Sequence, residues 1–315
     1  MSTIVERTTA TQRRQKPSDS LQARASRRAR ARLGDRIVTG ALWGLASILV
    51  GVLASFILYT VIQGLGVLSW KFVTTATVTG ETVGPQVFNS FYILILALLI
   101  CIPLGLGGAI YLEEYARQNS LTTVLRFATE TLAGIPSIIL GLFGFLVFVT
   151  DFGTGTRFGF SRLAGALTLV LLNLPLMLRI FEDALRSVPP EIREASYALG
   201  ATRSQTIFKA LIPTALPQLT TSVILTAGKM IGETAALIYT AGSNAPINGW
   251  FSLDPLASGE TLTVHLYQLQ AEGLAHNARA LENGTAALLI IFLLVINLGL
   301  RWAASAINRR LSGRQ

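Results

Sequence analysis

RSVPPEIREASYALGATR, residues Arg186–Arg203, is the stretch on which the reading of this chain turns. It is polar and charged, and a long apolar run stands on either side of it. Pro189 and Pro190 suit a helix start, because a first turn leaves its N–H groups unbonded and proline has none to lose. Acidic residues follow, where negative charge favours a helix N-terminus. Gly200 suits the helix end, with Arg203 just beyond it. The spacing predicts a short, capped, amphipathic helix between two membrane spans.

Outward from this loop the chain is apolar. Its 315 residues are 51% hydrophobic and only 14% charged, with a mean hydropathy of +0.54. A soluble domain carries about 25% charged residues. Six runs hold the excess: Ile37–Ile62, Val87–Tyr111, Val124–Val149, Leu163–Ile180, Leu216–Thr240 and Ala286–Ala306. Each is near the roughly 20 residues that cross the hydrocarbon. The expected fold is all-α: a polytopic membrane protein of about six transmembrane helices. Pro103, Pro136 and Pro175 lie inside runs, so neighbouring helices or water must satisfy the freed backbone groups. Gly228 and Gly232 stand at G-x-x-x-G spacing, the flat strip of ordinary close helix packing.

The net charge of +9 is unevenly spread, with ten of the 26 Lys and Arg residues before the first run. A basic tail beside a span reads as a cytoplasmic anchor on membrane lipid rather than a nucleic-acid-binding arm. Residues 1–36 are expected to be mostly disordered, becoming helical near their end, and 37–315 to form the membrane domain. An even number of spans puts both termini on one side. That side holds the tail, Arg117, the 186–203 loop with Lys209, and Arg309, Arg310 and Arg314. The other side holds Lys71, Arg157, Arg162, Arg279 and an outer loop over 242–283. The bias places both termini in the cytoplasm. The single cysteine, Cys101, makes neither an intrachain disulfide nor a metal site. No cleavable signal peptide is expected, since the first apolar run starts late and is too long.

The central loop resembles the EAA loop of bacterial ABC importer permeases. Glu194, Ala195 and Gly200 match that pattern at its spacing. Ser196 replaces the second Ala, Ala210 stands where Ile is usual, and Ile212-Pro213 stands for Leu-Pro. The resemblance implies a type I importer permease fold in which this cytoplasmic coupling helix sits in a groove of a separate ABC ATPase dimer. The chain lacks G-x-x-x-x-G-K-[ST]. ATP and Mg are therefore expected on the partner, with no catalytic residue and no cofactor on this chain.

Further segments narrow the likeness. Tyr111–Ala116 (YLEEYA), Leu132–Ile138 (LAGIPSI), Gly141–Gly144 (GLFG) and Gly232–Ala235 (GETA) resemble the permease of phosphate ABC importers, the PstA-type subunit. That implies phosphate as cargo, an extracytoplasmic phosphate-binding protein, a second PstC-type permease, and a place in the inner (cytoplasmic) membrane. Charges within a span usually face a pathway. Lys229 and Glu233, four apart near the middle of the fifth run, are expected to share a helix face. Arg179 lies toward the cytoplasmic end of the fourth. The resemblance implies a basic residue where Lys229 stands, more usually Arg, and an Arg where Arg179 stands; Lys keeps the charge and loses the bidentate fork.

Other readings stand beside these. Lys229 and Glu233 also read as a structural pair, and Arg179 as a snorkelling interfacial charge. Glu113 and Glu114 are expected to be interfacial and solvated, and His265 and His276 to be ordinary surface residues. Another oxyanion, sulfate or molybdate, fits the same charges. An ion-gradient transporter would use similar broken helices, although it has no need of the docking loop. A membrane protease needs a nucleophile and base inside the bilayer, and neither His lies in an apolar run.

Overall fold

Long apolar runs favour helices because a backbone in lipid must satisfy its own hydrogen bonds. The computed structural model describes residues 17–76, 82–117, 119–150, 155, 157–244, 251–272 and 278–311. Twelve α-helices and no strand occur among the described residues. In chain order they are α1 (Pro17–Gly64), α2 (Trp70–Thr74), α3 (Gly84–Ile110), α4 (Ser120–Ala133), α5 (Ser137–Gly144) and α6 (Arg162–Arg186). Then come α7 (Pro190–Ala198), α8 (Arg203–Thr206), α9 (Ile212–Ile231), α10 (Ala235–Ile238), α11 (Leu262–Glu272) and α12 (Ala278–Leu311). Three π turns extend them: Tyr111–Tyr115 closes α3, Phe145–Val149 closes α5, and Ile207–Leu211 joins α8 to α9.

The chain divides into Met1–Tyr59 and Thr60–Gln315. Helix α1 carries the first unit, and its apolar side chains from Ile37 to Tyr59 are exposed, as lipid-facing side chains are. It begins at Pro17, so much of the expected disordered tail is helical. The segment is rich in Ala and Arg, both strong helix formers. Residues 1–16, Arg314 and His276 lie outside the described residues.

In the second unit, α3, α6 and α9 surround one core that includes Ala97, Cys101, Met177, Phe181, Ala227 and Met230. Pro103 and Pro175 sit inside unbroken helices. Pro136 does not. The expected single helix over Val124–Val149 breaks at Gly134–Pro136, and its limbs α4 and α5 meet at 101°. Pro136 takes an extended ψ of 136° and redirects the chain. The bent pair still crosses. Arg126 of α4 pairs with Glu182 near the end of α6, while Gly144 of α5 lies against Thr168 near its start. Those positions are about 20 Å apart along α6 at 1.5 Å per residue. With the five unbroken helices long and apolar enough to cross a membrane, the bent pair taken as one span brings the number to six among the described residues.

The fifth run is shifted from its expected bounds. The continuous helix covers Arg203–Ile231. It ends at Gly232, and α10 begins afresh at Ala235. The predicted G-x-x-x-G strip is therefore not one helix face. Gly228 faces Asn297 at ordinary contact distance, and Gly232 caps the helix end. The outer loop is not featureless: it contains α11, and α12 starts at Ala278 within its expected range.

Candidate functional site

The 186–203 loop folds as its residues dictate. Helix α7 starts with Pro190 in its first turn, Glu191 beside it, and Pro189 before it in an extended conformation. Gly200 has φ +79°, the left-handed cap that glycine adopts freely. Thr202 then caps α8 through a reciprocal box with Gln205. Within α7 only Ile192, Arg193 and Ser196 are half-buried, and the other residues are exposed. Glu194 and Ala195 therefore face outward. Ala195, Gly200 and Ala210 help line an open groove beside the helix.

The inward stripe is held by three contacts. Ile192 packs against the core. Ser196 Oγ and Thr206 Oγ1 share a hydrogen bond of 2.8 Å, so the departure from the EAA pattern has a structural use. Arg193 Nε donates to Glu114 Oε1 at 3.1 Å, and its Nη2 lies 3.0 Å from the same oxygen as an ion pair. It also donates to the carbonyls of Leu185 and Val188.

Glu114 is thus a buried ion-pair partner, contrary to the expectation that it is solvated. Glu113, on the same π turn, meets Arg186 at 3.0 Å and Arg126 at 4.0 Å. Glu182 meets Arg126 at 2.6 Å and Arg186 at 3.0 Å. The π turn offers the two adjacent carboxylates to different helices, since a widened turn re-aims its side chains. Sequence offered one signal, the Glu-Glu dipeptide at a span end opposite a basic loop. It did not say which arginine each acid would meet.

The three candidate pathway residues are not brought together. Arg179 pairs with Glu130 at 3.3 Å, and both side chains are more than half exposed. Lys229 occupies the last turn of α9 and is exposed. Glu233 lies past the helix end, so the two do not share a helix face. No hydrogen bond or ion pair joins them among the described residues. Instead the Glu233 carboxylate accepts from the Ala236 N–H at 3.4 Å, and its carbonyl accepts from Thr263 Oγ1 at 3.1 Å. Met230 and Ile231 pack level with Ile93 and Leu169. This places Lys229 toward the outer third of the unit rather than mid-span, about 15 Å along α6 from the level of Arg179.

The end away from the 186–203 loop, the outer end if the termini are cytoplasmic, carries a cluster that sequence reasoning missed. Arg162, counted as a loop charge, is fully buried. Its Nε donates to Asn89 Oδ1 at 2.8 Å, its Nη1 donates to the Ser252 and Asp254 carbonyls, and its guanidinium lies 5.1 Å from the Phe88 ring centre. His265, expected at the surface, is buried with Nδ1 3.0 Å from Glu260 Oε1. Gln86 donates to the other Glu260 oxygen at 2.9 Å.

Residues 101–313 match the family described as binding-protein-dependent transport system inner membrane component. The probable ABC transporter permease protein YqgI of Bacillus subtilis is 39% identical over 293 residues, 89% of this chain and 98% of that protein. The phosphate transport system permease protein PstA 1 of Mycobacterium tuberculosis is 40% identical over 152 residues; the match spans 48% of each chain. A bacterial alginate ABC transporter aligns with TM-score 0.61 at 16% identity, covering 85% of this chain and 96% of that one. The MetNI methionine ABC transporter aligns with TM-score 0.51 at 24% identity, covering 73% and 94%. At these identities the two structures show the fold alone.

Proposed function

The chain belongs to the family of binding-protein-dependent transport system inner membrane components, and from that premise we propose that it moves inorganic phosphate across the inner membrane as one permease of an ATP-driven importer. The observation that carries the cargo is the 40% identity to relatives named for phosphate transport. The chemistry agrees. An anion leaving water needs cations, since an unpaired buried charge is very costly. Exposed Lys229 has no ion partner among the described residues, which leaves its charge open to an anion. In this proposal Glu233 accepts a hydrogen bond from a phosphate hydroxyl, a group sulfate lacks at neutral pH. Arg179 serves as a second, inner cation once Glu130 is displaced from it.

In this reading Glu194, Ala195 and Gly200 face the ATPase dimer, which holds ATP and Mg. A PstC-type permease completes the pathway, and a phosphate-binding protein delivers cargo to the outer face. The Lys and Arg bias supports cytoplasmic termini.

The test is uptake by the full assembly in vesicles. Phosphate is expected to stimulate ATP hydrolysis and accumulate, and Lys229→Ala to abolish accumulation while the complex stays assembled. Stimulation by sulfate or molybdate without phosphate would replace the cargo. Normal phosphate uptake by Lys229→Ala would remove this lysine from the pathway.

A further inference from the structure

Six charges, Arg126, Arg186, Arg193, Glu113, Glu114 and Glu182, meet beside α7. Helix α7 buries none of its residues. Besides its short backbone links to α6 and α8, a push on it travels through its three half-buried side chains. Ile192 makes apolar contact, which is non-directional and permits sliding. Ser196 shares one neutral hydrogen bond with Thr206, in the first turn of the continuous helix that becomes α9. Among the described residues of α7, Arg193 is the one that reaches α3 and α6, and it does so with charge-assisted bonds. Its guanidinium fork joins α7 to Glu114, at the foot of α3, and to the Leu185 carbonyl near the end of α6. Charge-assisted bonds of this kind are short and hold an angle.

A second contact grips the same turn. The Arg203 guanidinium lies 4.9 Å from the ring centre of Tyr115, the residue after Glu114. The coupling loop thus holds the Tyr111–Tyr115 turn from both flanks of α7. From that turn α3 runs to Gln86 and Asn89, which bind Glu260 of the outer loop.

We propose that Arg193 and Glu114 form the strut that carries displacement of α7 into α3, and through it to the outer loop. The proposal rests on α7 being the ATPase-facing helix, and it adds the residues through which the load passes. They are positioning residues: neither needs to touch cargo or nucleotide.

The experiment uses the full chain assembled with its ATPase, needs no cargo, and reads the membrane interior directly. Cys101→Ala removes this chain's own thiol, and Leu99→Cys places a reporter on the exposed face of α3. ATP with vanadate traps the closed ATPase. In this parent, trapping is expected to change the labelling rate of the reporter by about tenfold, within the usual range of site-to-site coupling. Glu114→Gln preserves shape and removes the charge. It is expected to retain the ATPase and trap ADP, yet change labelling by less than about twofold. Arg193→Lys keeps the charge, loses the fork, and is expected to fall between them.

A parental response in Glu114→Gln overturns the strut. Loss of the ATPase from Glu114→Gln also overturns it, because the pair would then shape the docking surface without transmitting anything. Failure of the docking reading looks different: Glu194→Lys would leave ATPase retention and trapping unchanged, and the strut would fall with it.

Discussion

The two ends of the second unit are each organised by an arginine, and they use it differently. At the outer end Arg162 is fully buried, bonded to an amide oxygen and two loop carbonyls, and sits against Phe88 and Tyr92. At the inner end Arg193 is 21% exposed and bonded to a carboxylate. Its neighbours Arg126 and Arg186 each face both Glu113 and Glu182. A cluster in which each cation meets two acids can exchange partners as helices shift, with no charge left alone. A buried guanidinium held by an amide and loop carbonyls is fixed by the loop that supplies them. The outer end is built as a latch and the inner end as a joint.

The largest expected effect tests the latch. Arg162→Leu leaves Asn89 Oδ1 and the loop carbonyls of Ser252 and Asp254 without this donor. An unmet buried acceptor costs about 1–3 kcal/mol, so a loss of about 3 kcal/mol is expected in equilibrium unfolding with denaturing detergent. Cleavage of the outer loop by protease should rise in parallel. Arg193→Gln should cost less, since water reaches its site. Equal losses at the two positions would break the contrast.

A pair of glycines sharpens it. Gly200 at the inner end has φ +79° and Gly242 at the outer end has φ +93°, so an alanine at either meets the same left-handed strain of about 1–2 kcal/mol. The space differs. A Cβ on Gly200 would have nothing within 4 Å, whereas on Gly242 it would lie 2.9 Å from Ser258 Oγ and 3.1 Å from Phe160 Cβ. Overpacking adds about 1–3 kcal/mol. Gly242→Ala is therefore expected to lower the unfolding midpoint clearly further than Gly200→Ala. Indistinguishable midpoints would show that the outer loop yields as readily as the inner one.

Much of this was legible in sequence, and the gaps have physical causes. Hydropathy located the spans because lipid selects apolar side chains regardless of their partners. Proline, a first-turn acid and a left-handed glycine bounded α7 because capping is local chemistry. Hydropathy said nothing about where a helix ends inside an apolar run. The break at Gly134–Pro136 and the end of α9 before Glu233 were therefore invisible, and Lys229 and Glu233 were wrongly placed on one face. Pro103 and Pro175 lie in similar runs without breaking them, so proline alone was no guide. The roles of Glu114, Arg162 and His265 were hidden because a charge count does not tell a solvated charge from one buried against a distant segment.

The smallest expected effect separates two routes within the joint. Ser196→Ala restores the second alanine of the EAA pattern and removes the 2.8 Å bond to Thr206. A neutral hydrogen bond contributes about 0.5–1.5 kcal/mol, so stability should fall by no more than about 1 kcal/mol. Thr206 lies in α8, which continues through the π turn into α9; Glu114 lies at the foot of α3. If the load travels to α3, Ser196→Ala leaves the vanadate response of the Leu99→Cys reporter on α3 within about twofold of the parent, while Glu114→Gln loses it. If the load climbs α8 into α9, the order reverses. The two variants measured side by side therefore decide which helix the ATPase moves, and they do so without knowing the cargo.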